Sequence, residues 1–316
     1  MKLDKFWIGV VIIIVAGFIF TKSFDNEFYF FTTYVVLQGI IIAVAWNILG
    51  GFTGYVNFGS AGFFAVGVYT SVALNKAFGL PLPVLVLASG GLCALLGLAA
   101  GYLTLRLKGI YFAIATLAVA LMLETVAANW EYVGGAAGTY VLQPKESFIF
   151  DNYTELLFML MLLLAIAATA VSRYLSSSRL GQGLSAIRDD ELAAECTGVP
   201  TLKLKLISAT TMGFFMGAAG APFPFFIAFV DPLSAFALLI TVNSIAMPMI
   251  GGTAVWYGPV IGALVLGAIQ EVTTVTISSE INLLVVGVML VLFITLAPKG
   301  LVGLVQDYLA KRRADG

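Results

Sequence analysis

Along this chain, long runs of apolar residues alternate with short polar or glycine-rich links, and most runs have no polar face at the helical period. Phe6–Phe20, Phe28–Leu49, Val84–Leu105, Gly109–Asn129, Tyr153–Leu175, Leu204–Phe229, Ser234–Ile250 and Ile281–Ala297 are such runs. Two more begin in glycine-rich sequence and end near Asn75 and Thr276. Runs of roughly 20 apolar residues match the hydrocarbon thickness of a bilayer when helical. The pattern therefore predicts an all-α polytopic membrane protein with about ten transmembrane helices, in one transmembrane domain over residues 1–316. Lys2 and Lys5 precede the first run, and polar, bulky residues follow it where a signal-peptide cleavage site would need small ones. The first run is read as an uncleaved span.

One stretch breaks the pattern. From Arg173 to Lys205 the chain is polar and carries Arg173, Arg179, Arg188, Lys203 and Lys205 with Asp189, Asp190, Glu191 and Glu195. Gly183 and Pro200 bracket a predicted helix over Leu184–Thr197, and Gly198 stands where a C-terminal glycine cap belongs. Leu184, Ile187 and Ala194 fall near one face of it, and Arg188 and Glu191 are spaced to pair at i,i+3. An amphipathic helix between two spans has a surface to dock on; the alternative is a solvated loop with a few charge pairs.

Charge then fixes which side this loop is on. With ten spans and the N-terminus inside, the inner segments hold Lys2, Lys5, Arg106, Lys108, the five loop cations, Lys299, Lys311, Arg312 and Arg313, thirteen in all, and the outer ones only Lys22, Lys76 and Lys145. That is a strong positive-inside bias. It places both termini and the central loop, residues 176–203, in the cytoplasm.

Composition narrows the chemistry. Sixty per cent apolar and ten per cent charged residues lie outside the range of soluble domains. The net charge of −1 gives no sign of nucleic-acid binding. The chain has no histidine, and its two cysteines, Cys93 and Cys196, lack zinc-ligand spacing. No metal, cofactor or catalytic residue is therefore assigned.

Two glycine-rich segments, near 50–62 and 248–258, adjoin apolar helix directly. The first contains Thr53, Asn57 and Ser60 among five glycines. Irregular backbone at membrane depth must be buried in protein or line a wet cavity, so these read as broken or re-entrant segments; tight interfacial turns are the alternative. Asn57, Ser60, Thr241, Asn243 and Ser244 would line an uncharged pathway there, or would bond neighbouring helices to one another.

The order of residues in the loop carries a resemblance. Leu180–Val199, L-G-x-G-L-x-A-I-R-D-D-E-x-A-A-E-x-x-G-V, resembles the cytoplasmic loop of branched-chain amino-acid ABC-importer permeases, the LivM type within the LivH/LivM family. In that family the loop engages the ATPase subunits. By position Ala193, Ala194 and Gly198 match its small-residue core, and Gly181, Arg188, Asp189, Asp190 and Glu191 its lead-in. The glutamate stands one place before the position usual in the general permease motif, as this branch has it. Further matches are Gly51, Gly54, Gly59, Phe63, Gly67 and Tyr69; the Phe229-Val230-Asp231-Pro232 turn; and Gly252 to Ala263, where Ala254 replaces a usual glycine. Ser60 stands where a histidine is common.

The resemblance implies a permease subunit in the bacterial inner membrane that moves branched-chain amino acids delivered by a solute-binding protein. It also implies LivG/LivF-like ATPase partners and a LivH-like second permease subunit or a second copy. No G-x-x-x-x-G-K-[ST] occurs, so ATP would be hydrolysed by the partners and not by this chain. Urea or short amides, which related permeases carry, remain alternative substrates. An ion-coupled secondary carrier is the alternative mechanism; it calls for ionisable residues within spans, and Glu124, with Glu271 at most, is available.

Overall fold

The computed structural model describes residues 5–23, 27–142, 152–276, 282–297 and 300–314. Lys2, Lys145 and Lys299, used in the charge count, lie outside the described residues. Six helices come first: α1 (Lys5–Ser23), α2 (Glu27–Thr53), α3 (Ser60–Phe78), α4 (Leu82–Thr104), α5 (Ile110–Ala128) and α6 (Tyr153–Ser177). Two short ones follow, α7 (Arg179–Asp189) and α8 (Glu191–Cys196). The remainder are α9 (Thr201–Gly220), α10 (Phe223–Ile227), α11 (Pro232–Ala235), α12 (Leu238–Gly251), α13 (Gly258–Thr276), α14 (Asn282–Leu296) and α15 (Gly300–Ala314). Among the described residues the architecture is all-α and polytopic, apart from a two-residue strand pair, β1 (Thr139–Tyr140) with β2 (Phe229–Val230).

Among the described residues, seven stretches are long and apolar enough to cross a membrane: α1, α2, α4, α5, α6, α9 running on through α10, and α11 with α12. Each of the ten expected spans has a helix, but three fall short of that standard. α3 has the length, yet Ser60, Tyr69, Thr70, Ser71, Asn75 and Lys76 dilute its hydropathy. α13 and α14 are apolar but contribute only the shorter stretches Gly258–Thr274 and Leu283–Phe293. The sequence pattern did not predict α15.

α2 is the core of the bundle. Ile41, Ala43, Val44, Ala45 and Ile48 are fully buried, and the helix packs against α6, α9, α12 and α13. α1 is equally apolar but lies outside, with Trp7, Ile12 and Ile19 more than half exposed. A helix apolar all round and exposed to that degree has lipid for its solvent. Without a hydrophobic drive between spans, packing rests on close approach of small residues. α9 supplies them: a side chain on Gly213 would meet the carbonyl of Cys93 on α4, and one on Gly67 of α3 would overlap Gly217.

The bundle has two ends. At one, the links 54–59 and 252–257, the α4–α5 link and helices α7 and α8 gather; Asn47 Nδ2 donates to Thr253 O (3.2 Å), and Arg173 lies over the Phe6 ring, 4.3 Å from its centroid. At the other, β1 pairs with β2, and Lys76 Nζ donates to Tyr132 O (2.9 Å). The glycine-rich segments resolve as links between helices. α2 runs through Gly50 and Gly51 to Thr53, and α12 through Gly251, before the chain becomes irregular.

Candidate functional site

The polar stretch folds into two helices, not the single one expected over Leu184–Thr197. α7 starts earlier, capped by Ser178, whose hydroxyl accepts from Gly181 N (3.3 Å). The chain then breaks at Asp190, an extended residue whose carboxylate accepts from Ala193 N (3.1 Å) and so caps α8. Gly198 is the predicted cap: it has φ 87°, Gly198 N bonds Glu195 O and Val199 N bonds Ala194 O. This is the Schellman pattern, in which a glycine avoids the cost of a left-handed backbone. Leu184, Ile187 and Ala194 are all buried, as their spacing predicted.

The break at Asp190 separates Arg188 from Glu191, and the expected pair between them does not form. Arg188 faces the C-terminus of α2: its Nη1 approaches Gly51 O (3.5 Å), its stem lies against Gly54, and its Nε is 3.5 Å from Asp189. A cation there complements the negative end of the helix dipole. Asp189 is otherwise solvated, its side chain 73% exposed. Gly181 is buried against the backbone of Leu175 and Ser176, where a side chain would not fit.

Glu191 turns inward to a partner that the sequence did not announce. Lys205, on the first turns of α9, is 3% exposed, and its Nζ donates to Glu191 Oε1 (2.6 Å), Tyr55 OH (3.1 Å) and Leu105 O (3.0 Å). Those three bonds use all the donors of an ammonium group. Tyr55 OH in turn donates to Glu191 Oε2 (2.6 Å), and Lys108 Nζ stands 3.8 Å from the same oxygen. Burial pushes the Glu191 carboxyl up, but the hydrogen bonds from Lys205 and Tyr55 and the charges of Lys205 and Lys108 together hold it below the ordinary carboxylate value. As a lysine just inside a span, Lys205 reads in sequence as one more positive-inside charge; its burial was the missing signal.

The same cluster reaches the 54–59 link. Gly54 (φ 78°) turns the chain out of α2 in a conformation costly for any side-chain-bearing residue. Beyond it Tyr55, Asn57 and Gly59 are buried while Val56 and Phe58 are exposed, and the polar groups here find partners on three helices. Trp46 Nε1 donates to Asn57 O (2.9 Å), Phe58 N to Thr116 Oγ1 (3.1 Å) and Ala61 N to Thr241 Oγ1 (3.1 Å). Asn57 Oδ1 accepts from Gly59 N (2.7 Å).

Of the five candidate pathway residues, Asn57, Ser60 and Thr241 meet at this link, and Ser244 lies one turn on from Thr241, bonded to its carbonyl (2.8 Å). Asn57 also lines a small cavity with Phe63, Gly97, Thr116 and Met212. Ser60 is fully buried, and its hydroxyl finds no hydrogen-bond partner among the described residues. Asn243 is not part of the group; it faces α13 and accepts from Gln270 Nε2 (2.9 Å).

Comparison with known proteins gives the arrangement a context. Residues 28–294 match the family model described as branched-chain amino acid transport system / permease component. The chain is 27% identical to the high-affinity branched-chain amino acid transport system permease protein LivM of Escherichia coli, over 85% of this chain and 69% of that one. It is 21% identical to the corresponding LivH of Salmonella typhimurium, over 83% and 90%. In fold it is similar to PsaBC from Streptococcus pneumoniae, solved in complex with Fab, with a TM-score of 0.50 at 15% identity, covering 90% of this chain and 97% of that one.

Proposed function

Because the chain belongs to the branched-chain amino acid transport permease family, we propose that it is a LivM-type transmembrane subunit of an ATP-driven importer of branched-chain amino acids. Two such subunits, this one with a LivH-like partner or a second copy of itself, would enclose the path. A solute-binding protein would deliver the amino acid on one side, and ATPase subunits would drive the cycle from the other.

The observation that carries the reading is the α7–α8 element. It is structured, capped at both ends and fixed to the bundle by Arg188 on α2 and Glu191 on α9, yet Leu192 is 65% exposed and Ala193 and Glu195 lie uncovered beside it. A helix rigidly joined to the spans on one face and bare on the other is what an ATPase subunit needs to grip. Residues Gly181, Arg188, Asp189, Asp190, Glu191, Ala193, Ala194 and Gly198 are assigned to this coupling element, residues 176–203.

Charge supports the cytoplasm for this end. Arg106, Lys108, Arg173, Arg179, Arg188, Lys203 and Lys205 all lie at it, whereas Lys22 and Lys76 lie at the end that carries β1 and β2. With α1–α6, α9, α12, α13 and α14 as ten crossings, both termini fall on the cytoplasmic face of the inner membrane. Asn57, Ser60, Thr241 and Ser244 then stand on the cytoplasmic side of the path, where an uncharged polar group can meet a zwitterion without an opposing charge.

The test is uptake by proteoliposomes holding the complete importer. Leucine, isoleucine or valine should accumulate when ATP and the loaded binding protein are present. Accumulation of urea or acetamide instead would assign a different substrate, and uptake that persists without the ATPase subunits would remove the coupling role.

A further inference from the structure

We propose that Tyr55, Glu191 and Lys205 are the positioning residues that carry movement of the coupling helices into the membrane, by tying α8 to the 54–59 link. This deepens the permease reading and rests on it.

Glu191 joins α8 to three other elements at once: Lys205 on α9, Tyr55 on the link, and Lys108 between α4 and α5. Tyr55 is the shared member. Its hydroxyl donates to Glu191 and accepts from Lys205, the centre of its ring lies 4.6 Å from the Lys205 ammonium, and the ring stands at 82° to that of Phe112 on α5. With every donor of Lys205 used, a displacement of α8 must either drag Tyr55 with it or leave a buried ammonium short of partners, which is the costlier outcome.

Beyond Tyr55 the link is equally committed. Two residues on is Asn57; Phe58 N is held by Thr116 of α5, and Ala61 N by Thr241 of α12. Motion delivered at Tyr55 therefore reaches the N-terminus of α3 and the group around Ser60 without crossing a flexible segment. A brace serving stability alone would have no reason to converge on α8, whose opposite face is open.

The complete importer in proteoliposomes tests this through the number of solute molecules moved per ATP hydrolysed, with three variants: Tyr55→Phe, Lys205→Met, and Lys205→Met with Glu191→Gln. The double variant removes the unpaired charge and so recovers melting temperature relative to Lys205→Met. Its transport ratio is expected to stay at least about fivefold below wild type, the low end of typical coupling free energies, with a smaller fall for Tyr55→Phe. A ratio that recovers along with melting temperature, or uptake and hydrolysis that fall in parallel at a wild-type ratio, would overturn the proposal. Failure of the wild type to show ATP-driven uptake would count against the permease reading itself.

Discussion

Lys205 Nζ lies 2.6 Å from Glu191 Oε1, although a helix end, a glycine cap and Pro200 stand between them in the chain. Lys205 is buried and the Glu191 side chain is 14% exposed, so neither charge has much water to fall back on. Removing one partner strands the other. Lys205→Met is expected to cost on the order of 3 kcal/mol, read as a lower melting temperature in detergent. Adding Glu191→Gln should return part of that loss; a double variant less stable than Lys205→Met would contradict the pairing.

The pH dependence follows from the same pair. Glu191 titrates below its ordinary value of 4.5 in the folded protein, so its contribution to stability is complete above the unfolded value and is lost as pH falls through the folded one. The melting-temperature gap between wild type and Glu191→Gln should hold steady from neutral pH down to about pH 5, then narrow on further acidification. A gap that widens with acid would mean that the folded state raises this carboxyl.

Close approach of α3 and α9 makes Gly67 intolerant of a side chain. A Cβ there would overlap the backbone of Gly217, whereas one on Gly91 of α4 would meet nothing within 4 Å. Gly67→Ala should lower the yield of folded protein or its stability by about 2 kcal/mol or more, as overpacking does. Gly91→Ala should be neutral or stabilising by up to about 1 kcal/mol through helix propensity. Fluorescence-detected gel filtration after heating separates the two.

Gly198→Ala isolates a backbone effect, because a Cβ there also meets nothing within 4 Å while φ is 87°. The expected loss is about 1 kcal/mol, with Gly198→Asn milder because asparagine tolerates the left-handed region. Equal stability of the alanine variant and wild type would show that the cap does not restrain α8.

These residues also mark what could be read in sequence. Leu184 and Ile187 announced a buried face because local spacing alone sets which side of a helix they occupy, and Gly198 announced its cap in the same local way; Ala194 is buried too, but on the second helix. Where the helix would break was less legible: Asp190 is both a tolerable interior residue and a good N-cap, and only the fold chose the second role. The partners of Glu191 were not legible at all. Tyr55 is 136 residues away and its hydroxyl bond depends on how α2 ends. Asn243 was grouped with Thr241 because the two are neighbours in sequence, but a helix turns residues two apart to different sides, and Asn243 faces Gln270. The long apolar runs, by contrast, each coincide with a helix, and seven of those helices, among the described residues, are long and apolar enough to cross a membrane.

Cys196 makes the decisive measurement available without engineering a label. It is exposed at the end of α8, while Cys93 is buried. A membrane-impermeant maleimide should label Cys196 in inside-out vesicles and leave it unlabelled in intact spheroplasts, and bound ATPase subunits should protect it. Labelling from the outside, or labelling from the inside that the ATPase subunits leave unchanged, would contradict a coupling element on the cytoplasmic face.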